Sequence, residues 1–140
     1  MSKANELVKA GRELQINCSL LEETEAYEYI NSVKQKYNPR KTSAHLAIGG
    51  ESISIPLEKY EFLYSEHLDS EPAYVFFDQE GDDRKKVVMI EDGQKLCRVI
   101  ENSFGIEYFV SNKQLDYLIA VNWYVIEGIG TAEKWLTRLI

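Results

Sequence analysis

The spacing of hydrophobic positions changes several times along the chain, and each change marks an element. Ala26, Tyr27, Ile30, Val33 and Tyr37 recur at helical spacing. Ser19 and Glu22 stand in the Ser-x-x-Glu order of a capping box. Glu22, Glu23 and Glu25 open this helix and Lys34 and Lys36 close it, which suits the helix dipole at both ends. Pro39 predicts its end. Upstream, Asn5 to Leu14 predicts a weaker helix with Gly11 in its middle.

From Ala44 the period shortens to two. Ala44–Ile48 and Glu51–Ile55 flank Gly49-Gly50, which predicts a tight hairpin, because the favoured turns need positive φ. Pro56 opens a further helix with Leu57, Tyr60, Leu63, Tyr64 and His67 on one side. Ala73–Phe77 and Val87–Ile90 predict a second hairpin, joined by Asp78–Lys86. A helix begins near Asp92, carries Leu96, Val99, Ile100 and Phe104, and meets Gly105 as a left-handed cap. Ile106–Val110 alternates as a strand. Asp116–Glu127 would extend about 40 Å as one strand. That is long for a small domain, so a bend is predicted near Asn122. Gly128 and Gly130 end the sheet, and Thr131 opens a last helix bearing Trp135, Leu136, Leu139 and Ile140.

Hairpins joining most strands imply antiparallel pairing. The predicted fold is a two-layer α+β domain, with a mainly antiparallel sheet built from hairpins and helices packed on one face. Residues 1–140 read as a single domain, without repeat or linker. No glycine-rich turn leads from strand to helix, which argues against a Rossmann-like fold.

Composition narrows the function. The chain has 140 residues, 44% of them hydrophobic, enough for a packed core. Its 23 acidic and 16 basic residues give a net charge of −7, which repels nucleic acid and anionic lipid at long range. The densest apolar stretch, Leu118–Ile126, is broken by Asn122 and is about half the length of a membrane span. No secretory-type apolar segment follows Met1–Glu6, so a cytoplasmic location is expected. Cys18 and Cys97 lack CxxC spacing and read as reduced packing residues.

Candidate chemistry is sparse. His45 and His67 are the two histidines, one in a predicted strand and one at a predicted helix end. No GxSxG, HExxH or P-loop motif occurs, so no catalytic residue, cofactor or metal site is expected. Asp78-Gln79-Glu80-Gly81-Asp82-Asp83 has the alternate carboxylates of a calcium loop. However, Asp83 stands where the EF-hand needs glycine, and Met89 where it needs a bidentate Glu. The segment reads instead as a solvated hairpin loop or an acidic loop facing a protein. Lys34, Lys36, Arg40 and Lys41, with Tyr37 among them, fall at a helix end of an acidic chain, so no nucleic-acid partner is expected. Tyr occurs nine times, and Trp123-Tyr124 sits in the terminal sheet. Trp135 is assigned to the core, and Tyr124 to core or interface alike. Glu107 and Glu127 would add to an acidic sheet surface if they share a face.

One resemblance bears on function. Phe76-Phe77-Asp78, Asp82-Asp83-Arg84-Lys85, Glu101-Asn102-Ser103-Phe104-Gly105, Glu107-Tyr108-Phe109-Val110 and Leu118–Gly128 follow in that order. Over about residues 73–130 the chain is similar to small bacterial proteins of the polymorphic-toxin immunity type. The matching motifs are structural rather than catalytic. The resemblance, the acidity and the missing catalytic motifs together point to a non-enzymatic cytoplasmic binding protein. Its most concrete form is an immunity protein that neutralises a basic partner toxin through an acidic surface. Asp78, Glu80, Asp82 and Asp83 are the candidate contacts, with Tyr124 as an aromatic anchor. No membrane partner is expected. The alternatives are a small hydrolase or ligand-binding domain using a His and carboxylates, and a homodimeric structural protein pairing its sheet edges. The sequence does not decide between monomer and homodimer.

Overall fold

A computed structural model describes residues 2–103 and 105–140. Phe104, placed by its spacing on a helix stripe, lies outside the described residues. The elements run α1 (Lys3–Leu14), β1 (Cys18–Leu20), α2 (Glu23–Tyr37), β2 (Ile53–Pro56), α3 (Leu57–Tyr60), β3 (Ala73–Phe76) and β4 (Val87–Ile90). They continue with α4 (Leu96–Glu101), β5 (Tyr108–Ser111), β6 (Tyr117–Val121), β7 (Val125–Gly130) and α5 (Ala132–Leu139). Short 3₁₀ turns occupy Tyr64–His67 and Gly93–Lys95.

The strands form one sheet in the order β1-β4-β3-β5-β6-β7-β2, antiparallel throughout. The fold is therefore α+β with an antiparallel sheet, as the alternating runs predict. Successive side chains of a strand point to opposite faces. Val75, Val110, Ile119 and Ile126 meet α1, α4, α5 and the Tyr60–Leu68 stretch on one face. Phe76, Phe109, Leu118 and Ala120 meet α2 and the segment carrying Leu46 and Ile48 on the other. The sequence pattern places helices on one face; α2 adds a second, partial covering. The physical reason lies in β5 and β6, whose residues are buried without interruption. A strand covered on both faces has no polar positions to alternate with.

Several local expectations shift. Ser19 lies in β1, so its capping box does not form, and Glu22 caps α2 without a side-chain hydrogen bond. Gly49 and Gly50 do take positive φ, of 74° and 57°. The run before them meets residues 40 and 41 through an isolated Lys41–Ala47 bridge and the Arg40 N–H donating to the Ile48 carbonyl, whereas β2 pairs with β7, setting Ile55 opposite Ile126. Ala44 and His45 interrupt the run with left-handed φ of 47° and 67°. The helix predicted after Pro56 breaks into α3 and a 3₁₀ turn. α4 ends with Asn102 as its C-cap, ahead of Gly105. Gly11 is buried because α1 lies close on β1: a Cβ there would sit 3.0 Å from that of Cys18. The bend near Asn122 is present, with its side-chain Oδ1 accepting from the Tyr124 and Val125 N–H groups at 2.8 and 2.9 Å.

Candidate functional site

The β3–β4 connection, residues 77–86, forms one wall of a cleft of about 570 Å³. The N-terminus of α1 supplies Glu6, the strand entry to β5 supplies Glu107, and the β6–β7 turn supplies Trp123. Asp78, Asp82 and Phe77 complete the part that matters chemically. Five carboxylates, Glu6, Asp78, Asp82, Asp83 and Glu107, thus line a concavity with two aromatic walls, and Lys3 is the one cation among its described lining residues. Trp123 is half exposed and Tyr124 beside it is 71% exposed.

The candidate acids have separate fates. Glu80 and Asp82 are exposed. Asp78 is half-buried: its Oδ1 accepts from the Glu80 N–H at 2.8 Å and its Oδ2 from the Ala44 N–H at 3.0 Å. Asp83 differs from the sequence expectation of a partner contact. It is 6% exposed. Its Oδ2 accepts from the Lys3 N–H at 3.0 Å and its Oδ1 from the Ala4 N–H at 3.4 Å. The first N–H groups of a helix have no partner within it, so Asp83 caps α1 from 80 residues away. Lys86 Nζ, 3.6 Å from Oδ1, adds a counter-charge. Little of Asp83 is left for a partner to touch.

Glu107 and Glu127 are likewise occupied, and do not form an open acidic sheet surface. Glu107 Oε2 accepts from the His45 N–H at 3.3 Å. Glu127 Oε1 accepts from the Ile48 N–H at 3.1 Å, and its Oε2 from Ser52 Oγ at 3.4 Å. Asn122 Nδ2 donates to the Leu46 carbonyl at 3.1 Å. The irregular segment between α2 and β2 is therefore held to the sheet by side chains, where a strand would use a backbone ladder. Glu107 Oε1 is enclosed and has no hydrogen-bond partner among the described residues. His45 Nδ1 lies 3.7 Å from it, and the His45 ring is 5.7 Å from that of Tyr124. His67 is exposed at the end of its 3₁₀ turn.

The thiols are quiet. Burial pushes the Cys97 thiol up to about 11, and its Sγ donates to the Glu61 carbonyl at 3.3 Å. Burial likewise pushes the half-buried Cys18 up to about 11. Neither resembles an activated nucleophile, whose pKa is depressed. No group of His, Cys, Asp and Glu among the described residues is arranged to hold a metal ion. No helix of the described residues is long and apolar enough to cross a membrane.

Of the acids proposed from sequence, Asp78, Asp82 and Asp83 line the cleft while Glu80 does not, and neither does Tyr124. Glu107 and Trp123, noted in the sequence for other reasons, line it, as does Glu6, which the sequence does not single out. The turn at Asn122 was the available signal for Trp123, since the residues after a tight bend project away from the sheet. Nothing local to Glu6 announces that the β3–β4 loop folds over it. Comparison of the chain with protein-family models, curated proteins and solved structures finds no match.

Proposed function

We propose that this chain is a non-catalytic binding protein, an immunity protein that takes a basic toxin at the cleft beside the β3–β4 loop. The observation that carries the reading is the cleft of about 570 Å³ lined by five carboxylates against one cation, Lys3, with Glu6, Asp78 and Asp82 on its rim and Trp123 as a wall. Carboxylates there, on a chain of net charge −7, steer a cationic surface inward and raise its association rate. Exposed Trp and Tyr give a partner rigid contact area at low entropy cost. A toxin whose substrate site is basic, as for nucleic acid, would have that site covered.

Binding of the chain to the purified product of the adjacent gene tests this, by stopped-flow association over a range of salt. Glu80→Lys with Asp82→Lys is expected to slow association about tenfold and flatten its salt dependence. Absence of any basic binding partner, or an association rate untouched by the double reversal, counts against the reading. A second reading has one observation in its favour, the approach of His45 to Glu107 at 3.7 Å. A small hydrolase would use that pair as base and orienting carboxylate. Turnover of a small ester or phosphoester, abolished by His45→Ala, would establish it in place of the first.

A further inference from the structure

On the opposite side of the β3–β4 loop the charge reverses. The loop's basic end packs beside α2 and encloses a small cleft of about 160 Å³. Lys34 from α2 and Arg84 and Lys85 from the loop line it, together with Tyr27 and Asn31. No acid is among its lining residues. None of the three cations forms an ion pair among the described residues. The charged contact Arg84 does make is to a carbonyl, Nη1 donating to Gly81 at 3.3 Å. Three like charges facing one concavity repel each other, and no acid among the described residues lines that concavity to offset them.

We propose that this cleft binds a phosphoryl dianion, either the free ion or the phosphate of a small ester. Arg84 offers a planar fork of donors, Lys34 and Lys85 offer point charges, and Asn31 offers an amide. The cleft is smaller than the roughly 300–1,000 Å³ of sites for drug-sized ligands, which suits one tetrahedral group. A second groove of about 350 Å³ shares Arg84 and Lys85 and is also lined by Leu20, Leu21, Lys86, Glu23 and Asp82, so it has room for an uncharged remainder of an ester but not for a further phosphate. Tyr27, 60% exposed at the rim, presents a ring to that remainder. A long polyanion fits poorly. Glu23 and Asp82 line the second groove and would oppose the continuation of a polyanion there. The proposal does not depend on the acidic cleft or on the identity of its partner.

Backbone and side-chain NMR of the intact chain, titrated at constant ionic strength, tests it. Inorganic phosphate is expected to shift Asn31, Lys34, Arg84 and Lys85 resonances saturably, with chloride at equal ionic strength leaving them in place. Arg84→Gln and Lys34→Gln should each weaken binding about tenfold, as loss of a charge-assisted contact does. Arg84 is exposed, so Arg84→Gln should melt as the parent does, which separates lost binding from lost fold. A ribonucleoside 5′-monophosphate assigns the source. Tighter binding with a shift at Tyr27 supports an ester, and binding no tighter than phosphate supports the free ion. Equal shifts with chloride, shifts centred elsewhere, or phosphate affinity unchanged in Arg84→Gln overturn the proposal.

Discussion

Asp83 offers the sharpest test of how the acidic loop divides between structure and recognition. Asp83→Ala removes the acceptor for the Lys3 and Ala4 N–H groups, which lie 3.0 and 3.4 Å away. Ser2 Oγ still accepts from the Asn5 N–H at 3.1 Å, so α1 keeps one of its caps. An N-cap acceptor contributes about 1 kcal/mol and up to about 2. A carboxylate at the positive end of the dipole adds several tenths, toward the upper range when partly buried. The neighbouring Lys86 is itself 37% exposed and returns to water at little cost. The sum is a loss of about 2 kcal/mol for Asp83→Ala. Asp83→Asn keeps an acceptor but loses the charge, and should cost about 1 kcal/mol.

Urea unfolding of both variants measures this directly. A shift in midpoint with an unchanged slope identifies a stability effect rather than a change in the denatured chain. For a chain of this size, 2 kcal/mol lowers the melting temperature by about 7 °C. Partner association at a temperature where the variant is fully folded should match the parent, in contrast to Glu80→Lys with Asp82→Lys. The reasoning fails if Asp83→Ala costs under about 0.5 kcal/mol, the level of an ordinary surface substitution. It fails equally if the variant keeps its stability and loses the partner.

Three further outcomes follow from the packing. Ile30→Ala should cost about 2–5 kcal/mol in urea unfolding, because Ile30 is 3% exposed and seats α2 against the second face of the sheet. A cost under about 1 kcal/mol would mean that α2 is not docked there. Gly130 holds φ at +76°, and a Cβ on it would collide with the Asp116 carbonyl, whereas Gly50 at +57° has open space around it. Gly130→Ala should therefore destabilise clearly more than Gly50→Ala, which should cost only about 1 kcal/mol for the left-handed backbone. Cys97 ionises near 9.0 when exposed, and burial raises it to about 11 in the fold. Between these values the unfolded chain has released the proton and the folded chain retains it. Stability from this group is thus intact below pH 9 and lost as pH rises toward 11. Urea midpoints of the parent and Cys97→Ala should converge over that window, and parallel curves would refute the assignment.

What was legible in the sequence, and what was not, divides along physical lines. Many strands were legible in local alternation or a β-rich run: Ala73–Phe76, Val87–Ile90 and the break at Asn122 appear where the pattern puts them, whereas the alternating run Ala44–Ile48 forms no strand because Ala44 and His45 take left-handed φ. Long-range pairing was not. Ile53 and Ile55 alternate in the same way whether their neighbour is the preceding run or β7, so the pattern fixes their faces and leaves the partner open. The same limit governs the charged loop. Asp78, Glu80, Asp82 and Asp83 are alike in sequence, each an acid beside Gly81 in a hairpin connection. Only the approach of α1, 80 residues earlier, makes Asp83 a buried cap. Only the approach of α2 turns Arg84 and Lys85 from neutralising neighbours into the wall of a separate cleft. The sheet lies between those two helices, since α1 and α2 cover opposite faces. A loop leaving the sheet's end can therefore fold its acidic half over one helix and its basic half beside the other. One short connection thus lines an acid-rich cleft beside α1 and a cation-lined one beside α2, while the Lys86–Asp83 contact at 3.6 Å and the groove shared by Asp82, Arg84, Lys85 and Lys86 bring the two signs together between them.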